Sequence, residues 1–286
     1  MLGAVTGDII GSVYEHYPVK TKDFKIYSQY SRFTDDTVLT VAIADAILQG
    51  KNYTHSLERY YYYYPQVPYG AKFHEWASSH HLEPYNSWGN GSAMRVSPVA
   101  YICDNLENVL EEAKKSAEVT HNHPEGIKGA QATAAAIWFA KSGSSKEEIK
   151  GQIITLFDYD LNRNLDDIRP DYNCDLSCQK TVPEAIICFL ESVDFEDSIR
   201  NAISLGGDAD TMACITGSIA EAYYGIPEYF ERMTKSYLDE RILKVLSTFY
   251  KKFKVKKNIV TRSIHFKIWC QGVLEHDHNY LVQPLK

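Results

Sequence analysis

The stretch SLGGDADTMACITGSIAEAYYG, residues 204–225, places the tightest constraint on how this chain can fold. Asp208 and Asp210 stand one residue apart, between a Gly-Gly pair and a run whose apolar positions repeat at helical spacing. Charge is expensive to bury, so the fold must give these acids partners. A second acidic knot, Thr34, Asp35 and Asp36 in FTDDTVLT, heads another apolar helix predicted over 37–48. Asp and Thr are favoured helix caps, and acids suit the positive end of a helix dipole, so capping alone accounts for either knot. Capping needs one side chain, however, and each knot supplies two acids and a hydroxyl (Thr34, Thr211). If the knots meet, their carboxylates cannot all stay ionised without compensation. Neither motif contains Lys or Arg, and two divalent cations would balance the charge. Oxygen-only ligands select hard ions, Mg²⁺ or Mn²⁺, over zinc. Such a pair binds vicinal hydroxyls or phosphate oxygens and positions a water, which limits the chemistry to hydrolysis of a phosphate ester or a glycoside.

Helical periodicity dominates the rest of the chain, in segments 105–120, 126–143, 180–192, 194–204 and 238–253. Pro183 is placed in the first turn of its helix, where the missing N–H is harmless. The Ala-rich segment 126–143 is apolar on most sides and should be buried. No series of alternating strands appears, so the expected fold is all-α, a compact orthogonal helical bundle in a single domain over 1–286. Gly3, Gly7 and Gly11 would form a smooth helical stripe that admits another backbone. Of the aromatic run Tyr60 to Tyr64, some side chains should line the core and others should show hydroxyls to water.

A formal charge of -7 argues against a general nucleic-acid binder. No apolar run has the length of a membrane span. The opening MLGAVTGDIIGSVYEH lacks a positive leader and is interrupted by Asp8, so it reads as a core element and not as a signal peptide. The expectation is a cytoplasmic protein with reduced thiols. Cys174 and Cys178 form a close pair without two further ligands at zinc spacing.

Two further segments bear on binding. In YNSWGNGSAMRVSPVAY, residues 85–101, Ser87, Gly89, Asn90 and Gly91 are either an anion cradle built from exposed amides or an ordinary turn-rich connection. The loop matches neither a Walker loop nor a dinucleotide fingerprint. In THNHPEGIKGAQ, His121 is either a hydrogen-bond partner for substrate or a structural histidine.

Taken in order, GDIIGSVYE, FTDDT, SWGNGSAMR, THNHPEGIKGAQA and SLGGDADT make the chain resemble the ADP-ribosylglycohydrolases, the family of dinitrogenase-reductase-activating glycohydrolase and the ADP-ribosylhydrolases. The resemblance covers roughly residues 1–235 and leaves 236–286 as a C-terminal helical extension without an assigned role. It implies an all-α fold around a binuclear centre that removes ADP-ribose from a modified target. The implied metal ligands are Thr34, Asp35, Asp36, Asp208, Asp210 and Thr211. Glu15 resembles the family's mobile-loop glutamate, Ser87, Gly89, Asn90 and Gly91 its diphosphate loop, and His121 a substrate contact. Ala209 replaces the Thr or Ser that many relatives carry between the aspartates. The resemblance favours glycoside cleavage at the distal ribose, with Asp36 or Glu15 taking the proton of water. An ADP-ribosylated protein is the expected partner, arginine-linked in preference to a serine linkage, a nucleic-acid end or a small ADP-ribosyl metabolite. A non-catalytic protein of the same fold is the remaining alternative, and the intact ligand set speaks against it.

Overall fold

The computed structural model describes residues 1–253, and among them there are helices and connections but no strand. The helices are α1 (Leu2–Gly11), α2 (Asp35–Gln49), α3 (Tyr53–Tyr63), α4 (Ala71–Ser78), the one-turn α5 (Gly91–Met94), α6 (Leu106–Glu118) and α7 (Pro124–Lys141). They continue with α8 (Lys146–Phe157), the short α9 (Leu165–Ile168), α10 (Cys178–Leu190), α11 (Phe195–Ser204), α12 (Ala209–Tyr224), α13 (Glu228–Ser236) and α14 (Glu240–Lys252). The all-α expectation is met. The anticipated extension 236–286 is described only to residue 253, as the end of α13 and α14. The remainder, with most of the basic run 251–257, lies outside the described residues.

The helix starts follow local capping chemistry. Asn105, Asp194 and Asp239 each accept a backbone N–H of the first turn of α6, α11 and α14. Ser145 and Glu148 form a reciprocal capping box on α8. Sequence periodicity names neither α3, α4, α8 nor α13, which are short or only half apolar. Pro183 departs from expectation. Helix α10 begins at Cys178, so the proline lies in the helix interior and not in its first turn. The run Tyr60–Tyr64 divides as expected, with Tyr60, Tyr61 and Tyr64 buried and Tyr62 and Tyr63 exposed.

The centre of the fold is the contact between α1 and α12, both buried along nearly their whole length. The glycine stripe makes it. A Cβ at Gly3 would lie 2.1 Å from the Gly217 carbonyl oxygen, one at Gly7 2.0 Å from that of Ala213, and one at Gly11 2.4 Å from the Asp210 Cα. Backbone therefore rests on backbone, and neither side can yield. Asp8 of α1 is thereby set beside Asp210 at the head of α12. Gly7→Ala is expected to cost at least about 3 kcal/mol of stability, read as a lowered urea midpoint, since overpacking here cannot relax into a side-chain rotamer. A midpoint equal to wild type would show that the helices can part without penalty.

Candidate active site

The acidic centre is assembled from three places. Thr34 caps α2 through its hydroxyl, which accepts from the Asp36 amide at 3.3 Å. Asp35 and Asp36 thus occupy the first turn of α2 and are not needed as its cap. On the other side, Gly206 and Gly207 both have φ +72°, the left-handed region that side chains disfavour, and this double turn delivers Asp208 to the head of α12. Asp208 stands in the N-cap position yet makes no capping bond. Its Oδ2 instead accepts from Asn90 Nδ2 at 2.6 Å. Capping therefore fails to explain either pair of acids.

The two knots do meet. Thr211 Oγ1 donates to Asp36 Oδ2 at 3.2 Å, joining residues 175 positions apart. Two groups of carboxylates have oxygens within 4.8 Å of one another: Asp8, Asp36 and Asp210, and Glu15, Asp208 and Asp210. Asp210 belongs to both, so two cation positions would be adjacent and share it. Glu15, on the connection after α1, stands at the exposed rim of the second group, while Asp35 is half-buried beside them.

Asp8 is a member of this cluster that the sequence reading passed over as a break in an apolar run. Its Oδ1 accepts from Thr34 Oγ1 at 2.7 Å, and its Oδ2 accepts from the Thr34 amide at 2.9 Å, the Thr37 amide at 3.1 Å and the Thr37 hydroxyl. Of the four donors, three meet Oδ2 and one meets Oδ1, so the carboxylate is largely committed to the head of α2. Asp8 is thus a strut that holds the head of α2, and by accepting from the Thr34 hydroxyl it leaves that oxygen one lone pair beyond the one met by the Asp36 amide. The available signal was a carboxylate inside a helix with no polar face.

The electrostatics describe a pocket short of positive charge. Burial first, and neighbouring acids second, push Asp36 and Asp210 well above the usual carboxylate range. The same causes push Asp35 up to about 8, and burial raises Asp208 against the pull of its hydrogen bonds. Asp8 rises only to about 6, because its four donors oppose burial. Burial and Asp208 raise Glu15. Asp36 is 2% exposed, and its Oδ1 has no hydrogen-bond partner. A buried carboxylate oxygen left without a partner among like charges fits a cation. The donor set, carboxylates and threonine hydroxyls, is that of a hard divalent ion.

The glycine loop lies against this centre, but its polar groups are more committed than a free cradle requires. Gly89 N donates to Ser87 Oγ, Asn90 N to Leu176 O, and Ser87 N to Thr120 O. The Asn90 side chain bonds Asp208 and Thr181, so it ties the loop to the acidic centre. His121, 5% exposed, turns Nε2 toward the loop: a Cβ built on Gly91 would lie 3.2 Å from that nitrogen. Burial and the Arg95 charge hold its imidazole well below the usual histidine range, hence neutral. His123 is a cap, its Nδ1 accepting from Glu125 N at 3.1 Å. Of the cysteine pair, Cys178 is buried against Gly129 and Cys174 is exposed, so the two do not form a site.

Comparison with known proteins agrees with this architecture. The profile described as ADP-ribosylglycohydrolase matches residues 1–258, past the 235 reached by motifs, so that it includes α14. The human ADP-ribosylhydrolase ARH3 is 26% identical over 85% of this chain and 90% of its own length. The ADP-ribosylarginine hydrolase Tri1 of Pseudomonas putida (strain GB-1) is 28% identical over 82% of this chain and 73% of its own. A solved structure titled ADP-ribosylglycohydrolase-related protein complex superposes with a TM-score of 0.66 at 24% identity, covering 87% of this chain and 95% of that one.

Proposed function

Because this chain belongs to the ADP-ribosylglycohydrolase family, we propose that it hydrolyses the glycosidic bond between the distal ribose of ADP-ribose and a modified side chain, in a reaction that needs two Mg²⁺ or Mn²⁺ ions. The observation that carries this reading is the convergence of Asp36, Asp208 and Asp210 with an orphaned Asp36 oxygen among them. Thr34, Asp35, Asp36, Asp208, Asp210 and Thr211 would hold the ions. Bound there, hard cations hold vicinal hydroxyls and make a water more acidic.

The chain's own groups supply the remainder. Glu15 is the better placed of the two candidate bases. It lies at the rim, where a proton taken at its carboxylate can pass to solvent, and its raised affinity for protons suits the task. Asp36, the other candidate, is closed in and fits a ligand's role. Asn90 keeps Asp208 in place, and the lack of side chains at Gly89 and Gly91 lets a diphosphate approach beneath His121 Nε2. The mechanism therefore differs from a two-carboxylate glycosidase, whose spacing rule does not apply here.

An arginine-linked target is preferred. The relative Tri1 is named an ADP-ribosylarginine hydrolase, and the overall motif layout is of the bacterial type. The proposed setting is the cytosol, and no described helix is long and apolar enough to cross a membrane. The test is ADP-ribose release from arginine-, serine- and nucleotide-linked substrates, before and after EDTA treatment and with Mg²⁺ or Mn²⁺ restored. The expected result is release from the arginine conjugate that EDTA abolishes and either ion recovers. Full activity in the metal-free protein would end the binuclear reading, and activity confined to another linkage would move the substrate.

A further inference from the structure

Arg95 heads the largest side chains withdrawn wholly from solvent, at 0% exposure. Among the described residues no carboxylate bonds to it, and its Nε and Nη1 have no hydrogen-bond partner. A cation buried without a counter-charge is costly, and packing alone does not ask for one. Its remaining nitrogen shows where it acts. Nη2 donates to the Ser116 carbonyl at 3.1 Å and to Thr120 Oγ1 at 2.7 Å. Thr120 Oγ1 in turn lies 2.7 Å from His121 Nδ1.

Only the first of these bonds has its direction fixed by the groups themselves. A guanidinium can only donate, so it occupies one lone pair of the Thr120 hydroxyl and biases that hydroxyl toward giving its proton to His121 Nδ1. With Nδ1 accepting, a neutral ring carries its proton on Nε2. Nε2 faces the glycine loop, 3.2 Å from a Cβ built on Gly91 and 3.6 Å from one on Gly89. A buried cation without a counter-charge, linked through Thr120 to a histidine nitrogen that faces two glycines, lacks one component, an anion.

We propose that Arg95 is a positioning residue for the diphosphate of the substrate: through Thr120 it fixes His121 as the Nε2–H tautomer that donates over the Gly89–Gly91 loop, and its own charge stands behind that loop. This inference rests on the reading that the loop receives ADP-ribose, whose two phosphates supply the missing negative charge. His121 contacts the ligand, whereas Arg95 and Thr120 act through it.

The test uses the full chain with ¹⁵N-labelled histidine. The His121 signals are assigned by their loss in His121→Gln, and the ring tautomer is read by NMR without ligand. Calorimetry with ADP-ribose and with adenosine, which has no phosphate, supplies the second readout. Wild type is expected to show Nε2–H. Thr120→Val should lose that preference and bind ADP-ribose about tenfold more weakly with adenosine affinity unchanged. Thr120→Ser, which restores the hydroxyl, should recover both. Arg95→Met should follow Thr120→Val, and if it does not fold, the threonine pair carries the test alone. An Nδ1–H tautomer in wild type, an unaltered tautomer in Thr120→Val, or an equal loss of adenosine binding would overturn the proposal. Wild type that shows Nε2–H but does not bind ADP-ribose would uphold the relay and remove the functional reading instead.

Discussion

Asp36→Asn is expected to lower kcat by between about a hundredfold and about ten-thousandfold, the range spanned by groups that act directly on a proton or a bound ion, while leaving the metal-free fold at least as stable as wild type. The two halves of this expectation come from one environment. Asp36 is almost wholly buried, its charged neighbours of largest effect are acids, and one of its oxygens has no partner. In the loaded enzyme that carboxylate has a cation to meet. In the empty enzyme it adds repulsion and desolvation that the Thr211 hydrogen bond only partly offsets, and an amide of the same shape relieves both while it can still accept from Thr211. Steady-state release of ADP-ribose and thermal melting in EDTA measure the two sides. A variant that loses activity because it melts at a clearly lower temperature in EDTA would make Asp36 a structural residue.

In EDTA, the protein should lose stability as pH rises from 7 to 8.5, and added Mg²⁺ or Mn²⁺ should restore more at pH 8.5 than at pH 7. An acid whose folded pKa is raised holds its proton more tightly in the native state, so the native state binds more protons and stability falls as pH rises from the unfolded value through the folded one. Asp8 completes this fall by about 6 and Asp35 by about 8, while Asp36 and Asp210, raised by burial and by neighbouring acids, act in the same direction. His121 works in the opposite direction: its depressed value means stability lost on acidification below about 6.5, which is why the comparison begins at pH 7. A cation at one hundred times its Kd contributes about 2.7 kcal/mol, or roughly 5–10 °C for a chain of this size. Protons compete for the same oxygens, so the increment shrinks toward neutral pH. Melting temperatures in EDTA that climb from pH 7 to 8.5, or a metal increment equal at both, would contradict the charge-starved pocket.

Much of this was legible in the sequence, and the parts that were not share a physical cause. Periodicity located α2, α6, α7, α10, α11, α12 and α14 because each has an apolar stripe or is apolar throughout. It did not find α8, although the Ser145–Glu148 box marks its start, nor α13, a short helix with only Phe230 and Thr234 buried. Pro183 suits a first turn as far as the local sequence goes, and only the cap at Ser177 sets it deeper in α10. At the site, excess acid at Asp35–Asp36 and Asp208–Asp210 pointed to convergence, since capping could use only part of it. Asp8 escaped because its partners, Thr34 and Thr37, are remote in sequence and the motif that contains it, GDIIGSVYE, reads as an apolar helix in which only Glu15 draws a role. Asn90 is expected from the sequence as part of the diphosphate loop or of an ordinary turn, and its reach to Asp208 depends on the approach of separate segments. The linear pattern thus reveals an unbalanced charge more readily than the neutral groups that steady it.

The backbone contact of Gly3, Gly7 and Gly11 on α12 also shapes how the protein must be made. Helix α1 has no polar face, and the surface that receives it on α12 is synthesised some two hundred residues later. During that interval the nascent chain carries an unpaired apolar rod, a hazard for association that grows with long-range topology. The acids of the two knots are separated by the same delay, so the proposed ion site can form only once α12 has been made, and a product ending before α12 would lack Asp208 and Asp210 altogether.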